Sequence, residues 1–231
     1  MKKKQKLLLA VNIVIISALF ILNYFYQSNG FDFTLKCVCS TLFALLGIIN
    51  LIYSLADKAD NKKFHISMAV GVIFAFLGDV LIEYGLITGA AMFAIGHICF
   101  VISYCFIQKM QKLDYIVSGA LFLVGVLFFS FCPGFSFDSE IIRAVALVYT
   151  LILSTMLGKA VGNLVRDKSL VNKTIALASA LFFFSDTMLS LHYFTELFSW
   201  SYNACMGTYY PSLCLLVLSM CLKLIKPNRE D

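Results

Sequence analysis

The sequence predicts an all-α protein, a polytopic membrane helical bundle of eight transmembrane helices with both termini in the cytoplasm. Three observations predict this fold class. Hydrophobic residues make up 61% of the chain and charged residues 13%, whereas soluble domains average about 45–50% and about 25%. Eight apolar runs each approach the ~20 residues that span a bilayer. The basic residues fall between these runs in a pattern that gives all eight an orientation.

Short polar or turn-forming segments separate the eight runs. The helices are expected at residues 7–26, 35–55, 66–84, 88–108, 114–132, 141–162, 172–194 and 204–224 of a single membrane domain, 1–231. The separators include a turn at 27–30, a charged loop at 57–63 and Pro133-Gly134. The first run follows a basic segment, spans a full bilayer and lacks a small-residue cleavage site after it. We therefore expect a retained helix and not a signal peptide.

The basic residues sort almost entirely to one side if the amino terminus is cytoplasmic and all eight runs cross. Only Lys36 and Arg143, of 18 basic residues, then lie at the outer side. Cytoplasmic loops carry an excess of Lys and Arg, so this distribution supports eight crossings. The net charge of +5 is accordingly a topology signal, and no nucleic-acid partner is expected. The expected location is a bacterial cytoplasmic membrane, with multiple passes.

Neither the cysteines nor the motifs of soluble enzymes indicate a cofactor. The eight cysteines lie mostly inside apolar runs and show no paired CxxC spacing, so we expect reduced, packed thiols and no metal site. The sequence has no GxSxG, P-loop, HExxH or GxGxxG motif. The intramembrane acids are therefore the main concentration of chemistry, and no cofactor is expected.

Two aspartates stand inside apolar runs in similar contexts. Asp79 follows three apolar residues and Gly78, and Asp186 follows three apolar residues and Ser185. An ionisable group within a membrane segment is energetically costly and marks function by default. Both acids lie about 20 Å from the inner ends of helices 3 and 7. We therefore expect one site in which two carboxyl groups share a proton, one acting as acid and one as base.

The same motif leaves two structural questions open. Its occurrence in helices 3 and 7 is compatible with two parallel four-helix repeats, although no other repeat is evident. The small residues Gly78 and Ser185 allow either a helix or a substrate to approach closely. The alternative reading of Asp79 and Asp186 is that each only forms a hydrogen bond to a neighbouring helix.

Further polar candidates lie on helices 4, 6 and 8. Phe93 and His97 share one face of helix 4, and His97 lies about 12 Å below the outer surface, close to the depth of the aspartates. It is expected to join them, a structural hydrogen bond being the alternative. Tyr149, Tyr209 and Tyr210 are interior tyrosines that could orient a polar head group, with aromatic packing as the alternative.

These positions together resemble the YhhN family of membrane proteins, which includes the lysoplasmalogenases. The resemblance rests on Gly78-Asp79, Gly89-x3-Phe93-x3-His97, Tyr149 with Met156 and Ala160, and Ala180-Leu181-Phe182-x2-Ser185-Asp186-x2-Leu189. It spans helices 3 to 8 and agrees with the count of eight. The chain departs from the family pattern at Phe100, where the family has tyrosine, and at Leu213, where it has glutamine.

The resemblance implies hydrolysis of the vinyl ether bond of lysoplasmalogens to a fatty aldehyde and a glycerophospho head group, without a metal. By position, Asp79 and Asp186 are the catalytic acids and His97 is their polar partner. Substrate contacts are expected from Gly78, Ser185, Phe93, Tyr149, Tyr209 and Tyr210. The expected partners are a membrane lipid or lysophospholipid and the bilayer. Two alternatives stay open: a proton-coupled transporter, because paired intramembrane acids also serve proton relays, and a non-catalytic lipid-binding protein.

Overall fold

Eight α-helices account for nearly all of the residues that the computed structural model describes, which are 3–56, 62–132 and 134–225. The helices are α1 (Lys3–Ser28), α2 (Phe33–Ala56), α3 (Lys62–Leu81), α4 (Leu86–Ile107), α5 (Lys112–Phe131), α6 (Glu140–Arg166), α7 (Leu170–Phe194) and α8 (Ser201–Leu224). All eight are long and apolar enough to cross a membrane. The prediction of an all-α bundle of eight membrane helices is confirmed.

The observed helix ends lie within four residues of the predicted ones. The difference that matters is at α3, which was predicted to reach residue 84 but ends at Leu81. The backbone N–H groups of Tyr84 and Gly85 both donate to the Leu81 carbonyl at 3.1 Å, which closes a turn. Glu83 therefore leaves the helix and reaches toward α2. Part of the predicted loop at 57–63 lies outside the described residues, as does Pro133.

The helix α8 forms the centre of the bundle and packs against α1, α2, α3 and α7. The helix α6 packs against α4, α5 and α7. The helix α3 packs along its length against α4. At the periphery, the backbone of α5 lies against that of α6 alone among the described helices. This leaves space between α4 and α5 in the half of the bundle that is predicted to face outward.

The helix contacts follow the two-repeat hypothesis in part. If α1–α4 correspond to α5–α8, the contact of α4 with α6 matches the contact of α8 with α2. The correspondence fails at α5, because α1 packs on α8 whereas α5 does not reach α4. The repeat stays a hypothesis, and the departure from it coincides with the open space beside α4.

Glycines bring α3 and α4 close together and so position the aromatic residues of the site. A Cβ atom at Gly71 would lie 2.5 Å from the ring of Phe100 and 3.0 Å from the carbonyl oxygen of Gly96. A Cβ atom at Gly78 would lie 2.8 Å from the ring of Phe93. Small residues permit such close packing of membrane helices. The Phe93 ring is thereby held directly beside the turn that carries Asp79.

A buried ion cluster ties α5 to α6 at the ends predicted to be cytoplasmic. The carboxylate of Asp114 lies 3.0 Å from Nζ of Lys159 and 2.7 Å from Nη1 of Arg166, and the Asp114 and Lys159 side chains are fully buried. The backbone N–H of Gln111 also donates to Asp114, at 3.0 Å. The sequence analysis counted Lys159 and Arg166 only as inner-side charges and did not predict this cluster.

Candidate active site

Asp79 and Asp186, from α3 and α7, line one small cavity. Its volume is about 20 Å³, which leaves room for about one water molecule. We call it the polar cavity, and its polar walls are Lys36, Asp79, Asp186, Tyr193, Tyr202, Cys205 and Tyr209. The structure thus brings the two acids to one place although they belong to opposite halves of the sequence.

Asp79 is buried and receives hydrogen bonds from the neighbouring helices. The Ser40 hydroxyl donates to its Oδ2 at 2.5 Å, and the same hydroxyl lies 3.3 Å from that of Tyr210. Tyr210 also donates to the backbone carbonyl of Lys36 at 3.3 Å. The Tyr209 hydroxyl lies beside the Asp79 carboxyl group, but their contact falls short of full hydrogen-bond geometry. It is therefore a donor that a water molecule or a substrate in the polar cavity could use.

Asp186 has a different set of partners. The Tyr149 hydroxyl donates to its Oδ2 at 2.5 Å, while Nε2 of His97 lies 2.9 Å from the Tyr149 oxygen and 3.4 Å from the same Oδ2. Because the Tyr149 hydroxyl donates its proton to Oδ2 of Asp186, Nε2 of His97 must be the donor in its contact with the Tyr149 oxygen. The predicted polar partner His97 therefore acts on Asp186 mainly through Tyr149.

The buried Nδ1 of His97 makes no hydrogen bond with a described residue. In the tautomer with a proton on Nε2, this nitrogen is an unprotonated acceptor. The ring itself is held by edge-on packing against Phe182, with centroids 4.6 Å apart. Aromatic packing, and not a second hydrogen bond, thus fixes the direction in which His97 points.

A larger cavity of about 190 Å³ lies between α4, α5, α6 and α7. We call it the apolar cavity, and its walls include Leu86, Ala90, Phe93, Val124, Phe128, Ala146, Tyr149, Phe183 and Asp186. Asp186 and Phe93 belong to the walls of both cavities. The apolar cavity occupies the space that α5 leaves beside α4, and it meets the polar cavity at a carboxylate.

The model of the YhhN family matches residues 31–220. The chain belongs to the YhhN family. The match extends beyond helices 3 to 8, which carried the resemblance, to include α2, and it contains both aspartates and every other wall residue of the two cavities. No curated protein and no solved structure matches the chain.

The two departures of this YhhN protein from the family pattern are both buried away from the cavities. Phe100 packs its ring against Gly71, and its centroid lies 6.2 Å from that of His97. Leu213 is fully buried in the main hydrophobic core. Neither side chain lines the apolar or the polar cavity, so neither substitution alters the walls around the aspartates.

Three predicted substrate-binding residues contact other helices instead of either cavity. Gly78 lies under the Phe93 ring, and the Ser185 hydroxyl donates to the Cys205 carbonyl at 3.2 Å. Tyr210 is occupied by Ser40 and the α2 backbone. For Gly78 and Ser185, the close approach that a small residue allows is that of a neighbouring helix. Phe93, Tyr149 and Tyr209, by contrast, do line a cavity.

The sequence analysis missed two polar residues at the site of this YhhN protein. Ser40 is the direct donor to Asp79. Lys36 is buried, lines the polar cavity and forms an ion pair with Glu83. One signal could have identified Lys36: it is one of the two basic residues that depart from the positive-inside distribution.

Other side chains of this YhhN protein add no further centre within the described residues. No group of three or more His, Cys, Asp or Glu side chains there is arranged to hold a metal ion. No disulfide bond joins any of the cysteines, all of which lie within the described residues. The candidate site is therefore built from the two aspartates, their hydroxyl and imidazole partners, and one buried ammonium group.

Proposed function

We propose that this YhhN protein is an intramembrane hydrolase that cleaves the vinyl ether bond of lysoplasmalogen-type lysophospholipids. The products are a fatty aldehyde and a glycerophospho head group. The observation that carries the proposal is the junction at Asp186, where a water-sized cavity with two aspartates meets an apolar cavity of about 190 Å³. A substrate with one hydrocarbon chain and a reactive group at the end of that chain fits this junction.

The two cavities suggest an orientation for the substrate. The hydrocarbon chain would occupy the apolar cavity, between α4 and α5, where a chain could enter from the lipid. The vinyl ether would then lie at Asp186, and the glycerol and head group would extend past Asp79 toward Lys36. In this orientation the β-carbon of the vinyl ether, which belongs to the chain side, is the atom nearest to Asp186.

The first chemical step would be protonation of that β-carbon by Asp186. Asp186 can hold the proton on Oδ1 while Oδ2 continues to accept from Tyr149. The electrons of the double bond form the new C–H bond, which leaves an oxocarbenium ion between the α-carbon and the ether oxygen. Proton transfer by a positioned acid contributes about 10²–10⁴-fold to rates, and protonation of carbon is slow without one.

Asp79 would act in the second step as the base. A water molecule in the polar cavity attacks the α-carbon and gives a proton to Asp79, which yields a hemiacetal. Asp79 then protonates the glycerol oxygen as the C–O bond breaks, and the hemiacetal hydroxyl returns its proton to Asp186. One water molecule is consumed and both aspartates regain their starting states. The division of labour parallels the paired carboxylates of glycosidases, which also stabilise an oxocarbenium ion.

The experiment uses the purified protein in detergent, supplied with a 1-alkenyl lysophospholipid and assayed for aldehyde. In D₂O the aldehyde is expected to carry one deuterium on the carbon next to the carbonyl, because protonation occurs there. A 1-alkyl lysophospholipid, which has the ether but no double bond, is the control and should stay intact. Absence of aldehyde from the alkenyl substrate would refute the hydrolase.

A negative result would leave the two other readings, transport and non-catalytic lipid binding. Transporters place broken helices at their substrate sites, whereas α8 continues through Pro211 as one helix from Ser201 to Leu224. No observation in the described residues favours transport over hydrolysis. Proton uptake by proteoliposomes that depends on added lysophospholipid would identify a transporter.

A further inference from the structure

The one ammonium group in the wall of the polar cavity belongs to Lys36. Its residue is 3% exposed, and it lies in the first turn of α2, at the end of the bundle predicted to face outward. A charged side chain in a membrane segment is costly and points to a function. The ion pair that Lys36 makes with a described residue is with Glu83, which follows the end of α3.

Two polar pairs connect α2 to α3 and to the turn that follows it. Lys36 and Ser40 are one helical turn apart on α2, and they face Glu83 and Asp79 respectively. A separation of four residues corresponds to about 6 Å along a helix axis. The ammonium group therefore lies about one turn outward from the hydrogen bond between Ser40 and Asp79, on the path that a head group would take.

Glu83 differs from Lys36 in its exposure. The side chain of Glu83 is 42% exposed, whereas that of Lys36 is 4% exposed. A carboxylate with access to water can leave an ion pair at little cost, but a buried ammonium group needs a replacement anion. The pair is thus built so that another anion can exchange with Glu83 at Lys36.

We propose that Lys36 binds the phosphate of the substrate's head group. In the protein without substrate, Glu83 forms an ion pair with the Lys36 ammonium group in place of that phosphate. The inference rests on the proposed function for the orientation of the substrate. Three carbons separate the vinyl ether oxygen from the phosphate ester oxygen, a length comparable to the single helical turn between Ser40 and Lys36 on α2. An ammonium group on a flexible stem is a suitable donor to phosphate oxygens.

Other basic residues at the same end of the bundle do not offer an equivalent site. Arg143 is the second basic residue predicted at the outer side, but its side chain is 56% exposed and it pairs with Glu140 on its own helix. It lines neither the polar nor the apolar cavity. Arg143 is therefore a matched control for general attraction between a positive outer surface and an anionic lipid.

The test measures binding of non-cleavable ligands, so that it does not depend on catalysis. Calorimetry in detergent would compare a 1-alkyl lysophospholipid with a 1-alkylglycerol of the same chain, which lacks the phosphate. Wild-type protein is expected to bind the phosphate-bearing ligand more tightly, and Lys36→Met to reduce that preference about 10- to 100-fold, the range for a hydrogen bond to a charged group. Lys36→Arg should retain part of the preference, and Arg143→Met all of it.

Two binding results would overturn the inference. One is a wild-type protein that binds both ligands equally; this measurement needs no variant and so stands even if Lys36→Met fails to fold. The other is a Lys36→Met variant that folds and keeps the wild-type preference. Inorganic phosphate alone should bind far more weakly than the lysophospholipid, and equal binding would instead identify a site for a free anion.

Kinetics then separates this inference from the proposed function. Suppose that wild-type protein releases aldehyde from an alkenyl lysophospholipid. Lys36→Met should then raise the KM for this lysophospholipid more than it raises the KM for a 1-alkenylglycerol, which lacks the phosphate. Equal losses of kcat on both substrates would mean that Lys36 acts through Asp79 and would overturn the head-group site. If neither substrate is cleaved by wild-type protein, the proposed hydrolase fails while the binding measurement still decides the role of Lys36.

Discussion

The hydroxyl of Tyr149 donates a 2.5 Å hydrogen bond to Asp186 while accepting one from His97. This arrangement links three residues from three helices in a fixed order. His97 supports the orientation of Tyr149, and Tyr149 supports the carboxylate that borders both cavities. The order matters because it predicts how the loss of each residue should combine.

Tyr149→Phe is expected to lower kcat about 10- to 100-fold, because it removes the hydrogen bond that stabilises the Asp186 carboxylate left after proton transfer. His97→Ala should lower kcat less. Since His97 acts through Tyr149, the double variant should be no worse than Tyr149→Phe alone. Rates of aldehyde release from an alkenyl lysophospholipid would measure this, with Tyr115→Phe on the exposed face of α5 as control. Multiplicative losses in the double variant would show that His97 acts independently.

Replacing either aspartate by asparagine is expected to reduce turnover by about 10²–10⁴-fold, the usual contribution of a proton-transfer group. Asparagine keeps the volume and can still accept hydrogen bonds, but it cannot exchange the proton. The double variant Asp79→Asn with Asp186→Asn should be no slower than either single one, because the proposed mechanism uses both residues in one proton cycle. Size-exclusion profiles establish folding. Near-wild-type turnover in both folded single variants would refute a shared site.

The size of the apolar cavity should set the length of chain that the protein accepts. Ala146 lines this cavity, so Ala146→Phe would fill part of it and is expected to raise KM for long alkenyl chains more than for short ones. Ala144 lies two residues away on an exposed face of the same helix, and Ala144→Phe is the matched control. A parallel rise in KM at every chain length would mean that the chain binds elsewhere.

The cluster around Asp114 is expected to stabilise the fold and not to take part in turnover. Asp114→Asn would leave Lys159 and Arg166 as neighbouring positive charges, and breaking a buried pair costs about 3–5 kcal/mol. Thermal unfolding in detergent should therefore begin at a clearly lower temperature, with kcat unchanged below it. The exposed pair of Glu140 and Arg143 provides the comparison, and Glu140→Gln should shift unfolding little. An equal shift in both variants would contradict this account.

The orientation of the helices is predicted from charge alone. A reporter fused after Asp231 is expected to be cytoplasmic, and one inserted in the loop at 133–140 should lie outside. The positive-inside distribution is the reason, because it leaves only Lys36 and Arg143 at the outer side. Accessibility of the two reporters in intact cells measures it. A shared side for both reporters would contradict the eight-helix topology.

The sequence by itself determined the number and approximate limits of the membrane helices. Each helix must satisfy its own backbone hydrogen bonds in lipid, so about 20 apolar residues in a row are a sufficient signal. The sequence also singled out Asp79 and Asp186, because a carboxyl group inside an apolar run is rare and costly. Both conclusions depend on local properties of the chain, which a single sequence contains.

Only the tertiary structure decided which side chains meet. Three contacts depend on the rotation and packing of separate helices. Ser40 donates a hydrogen bond to Asp79, Tyr149 lies between His97 and Asp186, and Lys36 forms an ion pair with Glu83. Hydrophobic periodicity is weak here, since lipid-facing and buried surfaces are both apolar, so the sequence does not reveal which face of a helix points inward. The apolar cavity likewise exists because α5 packs on α6 and not on α4, a choice made by contacts between helices and not by any one of them.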